Sequence, residues 1–146
     1  MPIYKCPISV LVVIHTRDQV MLMERKDHPG WWQSVTGSLE PDETPIQAAV
    51  RETQEETGLD ARQFHLTDWH LSYSYDIYPE FRYRYAPNVS QNTEHVFSLL
   101  LPYPIQIVLA PREHLRYSWL SMLEAAARCF SPSNRRAIEQ LQKALP

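Results

Sequence analysis

The chain has 146 residues but very little glycine and cysteine, and it lacks any long run of apolar residues. Its three glycines are Gly30, Gly37 and Gly58, and the last two bracket one segment, where we expect special backbone geometry. The two cysteines are far apart and show no metal-ligand spacing, which favours reduced thiols. Without a signal-peptide pattern or a segment of membrane-spanning length, we expect a cytoplasmic protein that does not enter membranes.

The charge balance argues against binding of nucleic-acid polymers. Lysine and arginine number 14 against 17 acidic residues, which gives a formal net charge of −3. Without a basic excess, the chain is not expected to bind nucleic-acid polymers. A slightly acidic protein that handles a polyanion needs metal ions or a local basic cluster to offset the repulsion. The length predicts a single domain over residues 1–146, and the sequence leaves the oligomeric state open.

One segment, residues 37–59, has clear helix boundaries. Thr44 is a suitable N-cap, Pro45 suits the first helical position, and Gln47 completes a Thr-x-x-Gln capping box. Gly58 suits a left-handed C-cap because it has no side chain to clash in that conformation. The sequence therefore predicts a helix over residues 45–57.

The predicted helix has an acidic cluster and a separate packing stripe. Glu52, Glu55 and Glu56 lie three and four residues apart, so their carboxylates project near one another. Like charges at this spacing weaken an isolated helix by roughly a few tenths of a kcal/mol per pair, which indicates a neutralising partner. Carboxylate oxygens suit Mg²⁺ first and Mn²⁺ second, although a solvated acidic face has the same pattern. The stripe expected to pack on the body comprises Ile46, Ala49, Val50, Thr53 and Thr57.

Eight residues of this segment follow the spacing G-x5-E-x7-R-E-U-x-E-E-x-G-U, where U is a bulky aliphatic residue. The spacing resembles the Nudix box of the Nudix hydrolases, with Thr53 at a position where the box has an aliphatic residue. That departure affects the packing face and leaves the acidic face intact. The resemblance implies the Nudix fold, an α/β fold in which a mixed β-sheet is sandwiched between helices (α/β/α). The matching residues are Gly37, Glu43, Arg51, Glu52, Glu55, Glu56, Gly58 and Leu59.

Apolar periodicity predicts the remaining elements. The β-branched run over residues 8–14 predicts a buried central strand, and residues 19–24 predict its neighbour. A short strand over residues 34–36 leads directly into the glycine that opens the Nudix box. Further strands are predicted over residues 64–75, 94–101, 105–109 and 117–120. Helices are predicted over residues 122–128 and 132–144, the last with Ile138, Leu141 and Leu145 as its buried stripe.

A tyrosine-rich stretch over residues 73–85 allows two interpretations. Phe81, Tyr83 and Tyr85 alternate with Arg82 and Arg84, a period of two that is typical of a strand. The stretch is either an edge strand with amphipathic aromatic residues or a platform that stacks a flat heterocycle near phosphate-binding arginines. The candidate substrate contacts in this stretch are Tyr75, Tyr78, Arg82 and Arg84.

Three charged residues outside the box also have two interpretations each. Lys5 precedes the first predicted strand and Arg25 ends the second, so each is either a solvated strand-end cation or part of a phosphate site. Glu113 lies in a predicted loop and is either a surface acid or a further metal ligand or general base.

The resemblance extends beyond the box. The runs PISVLVVI, WWQSVTGS, RYAPNVSQNTE, REHLRYSWL and SNRRAIEQ are together similar to a bacterial branch of Nudix hydrolases that act on dihydroneopterin triphosphate and dATP. This similarity implies that Lys5, Arg25, Thr36 and Ser131 lie near the substrate. It also makes Glu113 a metal-site or base residue.

The assigned roles form one metal site. Carboxylate chemistry and the resemblance together assign the metal to Glu52, Glu55, Glu56 and Glu113, with the carbonyl of Gly37 as a further oxygen ligand. Glu55, Glu56 and Glu113 are the candidate catalytic acids, and the sequence does not select the general base among them. Arg51 and Glu43 are expected to pair and so to orient these carboxylates.

These features predict a Mg²⁺-dependent pyrophosphohydrolase that cleaves a small-molecule triphosphate between its α- and β-phosphates. Dihydroneopterin triphosphate, a folate-pathway intermediate, and dATP both have the expected flat bicyclic head group, and the sequence does not choose between them. A first alternative is a Nudix hydrolase of dinucleotides or nucleoside-diphosphate conjugates. A second alternative is a nucleotide-binding module without catalysis, which would be expected to have lost some of the box carboxylates.

Overall fold

The strand β1 (Ile8–His15) is buried over almost its whole length and forms the centre of a mixed sheet. A computed structural model describes residues 3–144 of the chain. β1 pairs antiparallel with β2 (Gln19–Arg25) and with β4 (Val35–Ser38), and it pairs parallel with β6 (Gln91–Leu100) on its other side. Since both sides of β1 are paired and both faces are covered, its continuous apolar run fits its position.

Three further strands complete the seven-stranded sheet. β3 (Trp32–Gln33) and β7 (His114–Ser121) both pair antiparallel with β2. β5 (His65–Asp76) pairs antiparallel with β6 and forms the opposite edge. The predicted strands at residues 8–14, 19–24, 64–75, 94–101 and 117–120 are therefore confirmed, with small differences at their ends.

Helices cover both faces of the sheet, as the predicted α/β/α arrangement requires. α1 (Pro45–Thr57) packs on the face that contains the even-numbered apolar residues of β1. α2 (Met122–Arg128) and α3 (Pro132–Ala144) pack on the other face, where Ile138 and Leu141 are buried as predicted. Leu145, predicted to extend this buried stripe, lies outside the described residues. Within residues 3–144, no helix combines the length and apolarity needed to cross a membrane.

The boundaries of α1 agree with the sequence. Thr44 Oγ1 accepts a hydrogen bond from the backbone N–H of Gln47, and the Gln47 side chain accepts one from the backbone N–H of Thr44. Gly58 ends the helix in the left-handed conformation with φ of 77°, which explains why this position is glycine. The helix therefore begins and ends with local interactions that the sequence encodes.

The predicted packing stripe of α1 is only partly correct. Ile46 is 49% exposed and Val50 is half-buried, whereas Ala49, Thr53 and Thr57 are buried. The buried face is rotated toward the acidic side, because it also includes Ala48, Glu52 and Glu56. Two of the three clustered glutamates are thus inside the protein, so a fully solvated acidic face does not describe this helix.

The predicted strand at residues 105–109 is absent from the described residues, and so is a strand at residues 81–85, which is one of the two interpretations of the tyrosine-rich stretch. The period-two stretch at residues 81–85 belongs to a 3₁₀ helix, Pro79–Arg84, which begins on a proline and lies between the paired ends of β5 and β6. Residues 105–109 have no regular structure, and they are held by contacts outside any sheet. Ile107 donates its backbone N–H to the Tyr117 hydroxyl, and Val108 donates its own to the carbonyl of Thr57. Alternating or β-branched residues therefore do not form a strand at these positions, because no neighbouring strand is available to pair with them.

We expect the N-cap of α1 to contribute measurably to folding. Thr44→Ala removes the oxygen that accepts from Gln47, and it should lower the free energy of unfolding by about 1 kcal/mol. Thr44→Ser keeps that oxygen and should stay close to the wild type. Urea unfolding of the three proteins tests this, and equal midpoints for Thr44→Ala and the wild type would contradict it.

Candidate metal and phosphate site

A cavity of about 610 Å³ is bordered by residues of both α1 and α3, although these helices pack on opposite faces of the sheet. Its walls come from all seven strands, α1, the 3₁₀ helix Pro79–Arg84, the turn before β7 and the start of α3. Leu11 of β1 contributes to this wall and also belongs to the core beneath α2 and α3. The cavity therefore brings together side chains as far apart in the chain as Lys5 and Arg136.

An acidic cluster on the cavity wall has the composition of a metal site. Glu56, Glu113 and His114 each offer one ligand atom, and these atoms lie within 4.8 Å of one another. Among residues 3–144, Glu56 Oε1 and His114 Nδ1 are buried without a hydrogen-bond partner. Buried polar atoms normally have hydrogen-bond partners, so these two unpartnered atoms fit the binding of a cation or of a polar ligand group.

The ionisation of this cluster also fits a cation. Burial raises the pKa of Glu56 well above its usual value, and the adjacent Glu52 carboxyl raises it further. Burial, followed by the charge of Arg25, lowers the pKa of His114 to about 4, so the ring is neutral at physiological pH. A neutral imidazole is the form that ligates metals. A divalent cation would favour the ionised carboxylates that burial otherwise disfavours.

Gly37 is a glycine because of the space that Glu52 occupies. Its φ is not positive, so the prediction of special backbone conformation is wrong at this position, although it is correct at Gly58. A Cβ at residue 37 would overlap the carboxyl group of Glu52, which packs directly against the backbone of β4. The absent side chain therefore sets the position of a box carboxylate.

Arg51 connects the acidic residues of the box. Its guanidinium donates to both carboxylate oxygens of Glu43 at 2.8 Å, which is the predicted pair, and to the carbonyl of Ser38 at 3.0 Å. The same group donates to Glu52 at 2.6 Å and to the more exposed Glu55 at 3.3 Å. The bidentate bond lowers the pKa of Glu43 and raises that of Arg51, so both stay charged.

Five cations line the cavity: Lys5, Arg25, Arg84, Arg112 and Arg136. Asp27 fixes two of them, because it accepts hydrogen bonds from Arg25 at 2.6 and 2.7 Å and from Arg84 at 3.1 Å. Desolvation by the surrounding protein atoms lowers the pKa of Lys5, and the positive charges of Arg84 and Arg25 lower it further. Cations held this close together favour a polyanionic ligand.

Aromatic rings support the same cations. Arg25 and Arg84 lie over the ring of Phe81, with their guanidinium carbons 4.7 and 4.9 Å from its centroid. Tyr78 and Phe130 also line the cavity, and Trp31 stacks behind Phe130 at 4.4 Å. The tyrosine-rich stretch therefore contributes rings to a cavity wall, and it does so from a 3₁₀ helix.

The cavity also contains a buried acid that is remote from the box. Glu94 on β6 is 4% exposed, and its Oε1 accepts a hydrogen bond from Ser133 Oγ of α3 at 2.7 Å. Burial raises the pKa of Glu94 to about 7, whereas the bond from Ser133 lowers it by less. Nearby, Asn92 donates to Ser9 Oγ at 2.7 Å and to the Tyr75 hydroxyl at 3.1 Å.

The structure brings most predicted site residues to this cavity. Ten of them line it: Lys5, Arg25, Thr36, Gly37, Glu56, Tyr75, Tyr78, Arg84, Glu113 and Ser131. Four others support it from the Nudix box, namely Glu43, Arg51, Glu52 and Glu55. Arg82 is not brought there, since it is exposed and its guanidinium donates to the carbonyl of Val89.

Several cavity residues were not singled out from the sequence. His114 and Arg112 flank Glu113, at the point where a turn leads into β7, so their adjacency was an available signal. Asp27 and Phe130 had no distinguishing pattern. The sequence predicts Glu94 only as the start of a buried strand, and its polar neighbours Thr93 and His95 give no sign that its side chain is buried.

The fold and this site define a Nudix protein. The NUDIX domain family matches residues 6–141, and the chain therefore belongs to the Nudix family.

Individual relatives are similar over nearly the whole chain. The chain is 49% identical to the dihydroneopterin triphosphate diphosphatase of Escherichia coli K12, over 94% of this chain and 93% of that protein. It is 41% identical to the protein of the same name from Haemophilus influenzae, over 94% and 88% respectively. The solved structure of the E. coli dihydroneopterin triphosphate pyrophosphohydrolase matches with a TM-score of 0.89 and 48% identity, covering 94% and 96% of the two chains.

We expect Gly37→Ala to impair metal binding rather than folding. The added Cβ would displace the Glu52 carboxyl, which is the end of a flexible side chain, so the sheet can stay in place. Affinity for Mg²⁺ or Mn²⁺, measured by calorimetry, should fall by about 10-fold or more. Glu139→Gln, at an exposed position on α3, is the control and should keep the wild-type affinity. Unchanged affinity in Gly37→Ala would contradict the role of Glu52.

We expect burial of Glu94 to lower stability at high pH. Its folded-state pKa is raised from 4.5 to about 7, so the unfolded chain ionises first as the pH rises through this window. The shift corresponds to about 3 kcal/mol, present below pH 4.5 and lost by about pH 7. Glu94→Gln should therefore gain up to this amount relative to the wild type between pH 4.5 and 8. Denaturant unfolding at several pH values tests this, with the exposed Glu139→Gln as control.

Proposed function

We propose that this chain is a Mg²⁺-dependent Nudix pyrophosphohydrolase that converts dihydroneopterin triphosphate to the monophosphate and pyrophosphate. The observation that carries this proposal is one cavity whose wall contains both an acidic cluster that could hold a metal and five cations. The relatives named dihydroneopterin triphosphate diphosphatase, at 49% and 41% identity over 94% of the chain, support the choice of substrate. A cavity of about 610 Å³ suits a small molecule better than a nucleic-acid polymer.

The residues present fit a divalent cation. Glu56 and His114 would hold the ion, Glu113 lies beside them, and Glu52 and Glu55, oriented by Arg51, would extend the site. When bound, Mg²⁺ supplies Lewis-acid neutralisation of phosphate oxygens and lowers the pKa of water. The chain itself contributes the spacing of the carboxylates, because Arg51 holds Glu43 and Glu52 in fixed positions.

The cationic residues would bind and orient the phosphate chain. Arg25 and Arg84 are held by Asp27, so their guanidinium groups lose little further freedom when a phosphate binds. Lys5 and Arg112 would add point charges to the same wall. These contacts offset the repulsion between a polyphosphate and the acidic cluster, which the net charge of −3 would otherwise increase.

Glu113 is the residue we propose as general base. It lies in the turn before β7, and its pKa is raised by burial and then by the charges of Glu52 and Glu55. A carboxylate with a raised pKa accepts a proton from water more readily at neutral pH. Glu56, which is almost completely buried, is better placed to ligate an ion than to exchange protons with solvent.

The proposal predicts specific products. Purified protein incubated with Mg²⁺ and dihydroneopterin triphosphate should release one pyrophosphate and one monophosphate per turnover, measured by phosphorus NMR. Glu56→Gln should lower kcat by about 100-fold or more and weaken Mg²⁺ binding in calorimetry. The control Glu139→Gln should keep wild-type turnover.

Two results would overturn the proposal. Failure to release pyrophosphate from any triphosphate in a panel would exclude this activity, and cleavage of dinucleotides instead would favour the first alternative. Undiminished turnover in Glu56→Gln would remove the metal-site assignment.

A further inference from the structure

The end of the cavity that contains Glu94 is remote from the acidic cluster. Glu94 of β6 aligns with Ser9 of β1, and Ser9 in turn aligns with Ser38 of β4. Two strand spacings, or about 10 Å, therefore separate Glu94 from the strand on which the Glu52 carboxyl packs. A head group joined to its phosphates through a sugar or a short polyol chain can reach this end while the phosphates stay beside the acidic cluster.

Aromatic rings lie at the same end of the cavity as Glu94. Ser133, whose hydroxyl donates to Glu94, follows Phe130 by three residues, and both line the cavity. The ring of Phe130 lies 5.9 Å from that of Tyr78. Burial raises the pKa of the Tyr78 phenol, and the charges of Glu80 and then Glu94 raise it further, so Tyr78 is within electrostatic reach of this carboxylate. A flat ring stacked on this wall would therefore have one edge near Glu94.

One oxygen of the Glu94 carboxyl is available to a ligand. Oε1 accepts the hydrogen bond from Ser133 Oγ at 2.7 Å. Oε2 accepts none from residues 3–144, and protein atoms do not enclose it completely, although Glu94 as a whole is only 4% exposed. No Lys, Arg or His of these residues pairs with Glu94, since Arg136, the cation of α3 that lines the cavity, lies over the ring of Tyr73 instead. Burying an acceptor without a donor is costly, so Oε2 is complementary to a donor group of a ligand.

We propose that Oε2 of Glu94 accepts a hydrogen bond from an exocyclic amino group on the head group of the substrate. Adenine carries such a group, and so does the 2-amino-4-oxopyrimidine ring that pterins and guanine share. In each case the amino group is on the ring that is not attached to the sugar or polyol chain, and it therefore points away from the phosphates. The inference rests on the proposed function and specifies the class of head group that the same site takes.

The amino contact makes a prediction that stacking does not make. Stacking on an aromatic wall depends little on the substituents of the ring, so removal of an amino group leaves it almost unchanged. The same removal leaves a buried carboxylate oxygen without its donor, which costs about 10-fold in kcat/KM or in affinity. If the bond between Glu94 and Ser133 serves only to connect β6 with α3, the amino group has no such effect.

Two pairs of triphosphates that differ by one amino group test the proposal. The first pair is dATP and the triphosphate of purine 2′-deoxyriboside, which has hydrogen in place of the amino group of adenine. The second pair is dGTP and dITP, because hypoxanthine lacks the amino group of guanine. For the wild type we expect kcat/KM to favour the amino member of each pair by about 10-fold. The control Glu139→Gln, at an exposed position on α3, should keep both preferences.

Glu94→Met removes both carboxylate oxygens and keeps the approximate length of the side chain. Because it replaces a buried acid that has no charge partner, we expect the variant to fold, which urea unfolding checks. Its preference for the amino member should fall to within about twofold in each pair. Ser133→Ala removes only the hydrogen bond that orients the carboxylate, and it should reduce each preference to about threefold.

Calorimetry with the corresponding monophosphates measures the head-group preference without turnover. The wild type should bind dAMP more tightly than the monophosphate of purine 2′-deoxyriboside, and dGMP more tightly than dIMP. If the wild type cleaves no triphosphate but shows these preferences, the proposed function fails and the inference stands. Equal affinities within both pairs, or preferences in folded Glu94→Met that match those of the wild type, would overturn the inference.

Discussion

The constraint on which this structure depends is the burial of the Glu56 carboxyl beside that of Glu52, with no lysine or arginine of the described residues paired to Glu56. Glu56 is almost fully buried next to Glu52, and a buried oxygen of Glu56 has no partner within residues 3–144. Such an arrangement is unfavourable in an isolated protein, because like charges in a low-dielectric interior repel one another. A divalent cation bound among these oxygens would offset the repulsion, so cation binding would increase the free energy of unfolding.

Arg51 and Gly37 fix the position of the Glu52 carboxyl beside Glu56. Arg51 neutralises the outer edge of the cluster through Glu43 and Glu52, while leaving Glu56 unpaired on the inner side. Gly37 allows the Glu52 carboxyl to pack on the backbone of β4, where any side chain would displace it. Because α1 is capped at both ends by local hydrogen bonds, the helix that carries these acids does not need a large apolar stripe of its own.

The sequence predicted what is encoded locally and failed where a distant partner decides. The bounds of α1, its two caps and the Arg51–Glu43 pair follow from residue spacing alone. By contrast, the exposure of Ile46 and the 3₁₀ helix at residues 79–84 depend on which neighbouring surfaces are present. Glu94 was missed for the same reason, because its importance arises from a cavity that α3 closes about 40 residues later, through Ser133.

Two buried acids thus face one cavity, and their different surroundings imply different ligands. Glu56 has other acids and a neutral imidazole beside it. This arrangement attracts a cation, and it repels an anion such as phosphate unless a metal ion lies between them. Glu94 has one serine hydroxyl as its hydrogen-bond donor, and no charged neighbour contributes to its raised pKa, so this end of the cavity lacks the charge density of a metal site. Two strand spacings, or about 10 Å, separate Glu94 from β4, the strand on which the Glu52 carboxyl packs, so the two ends of the cavity can contact different parts of one ligand. Stacking on Tyr78 or Phe130 would bind any flat ring, so the aromatic wall by itself does not discriminate between head groups.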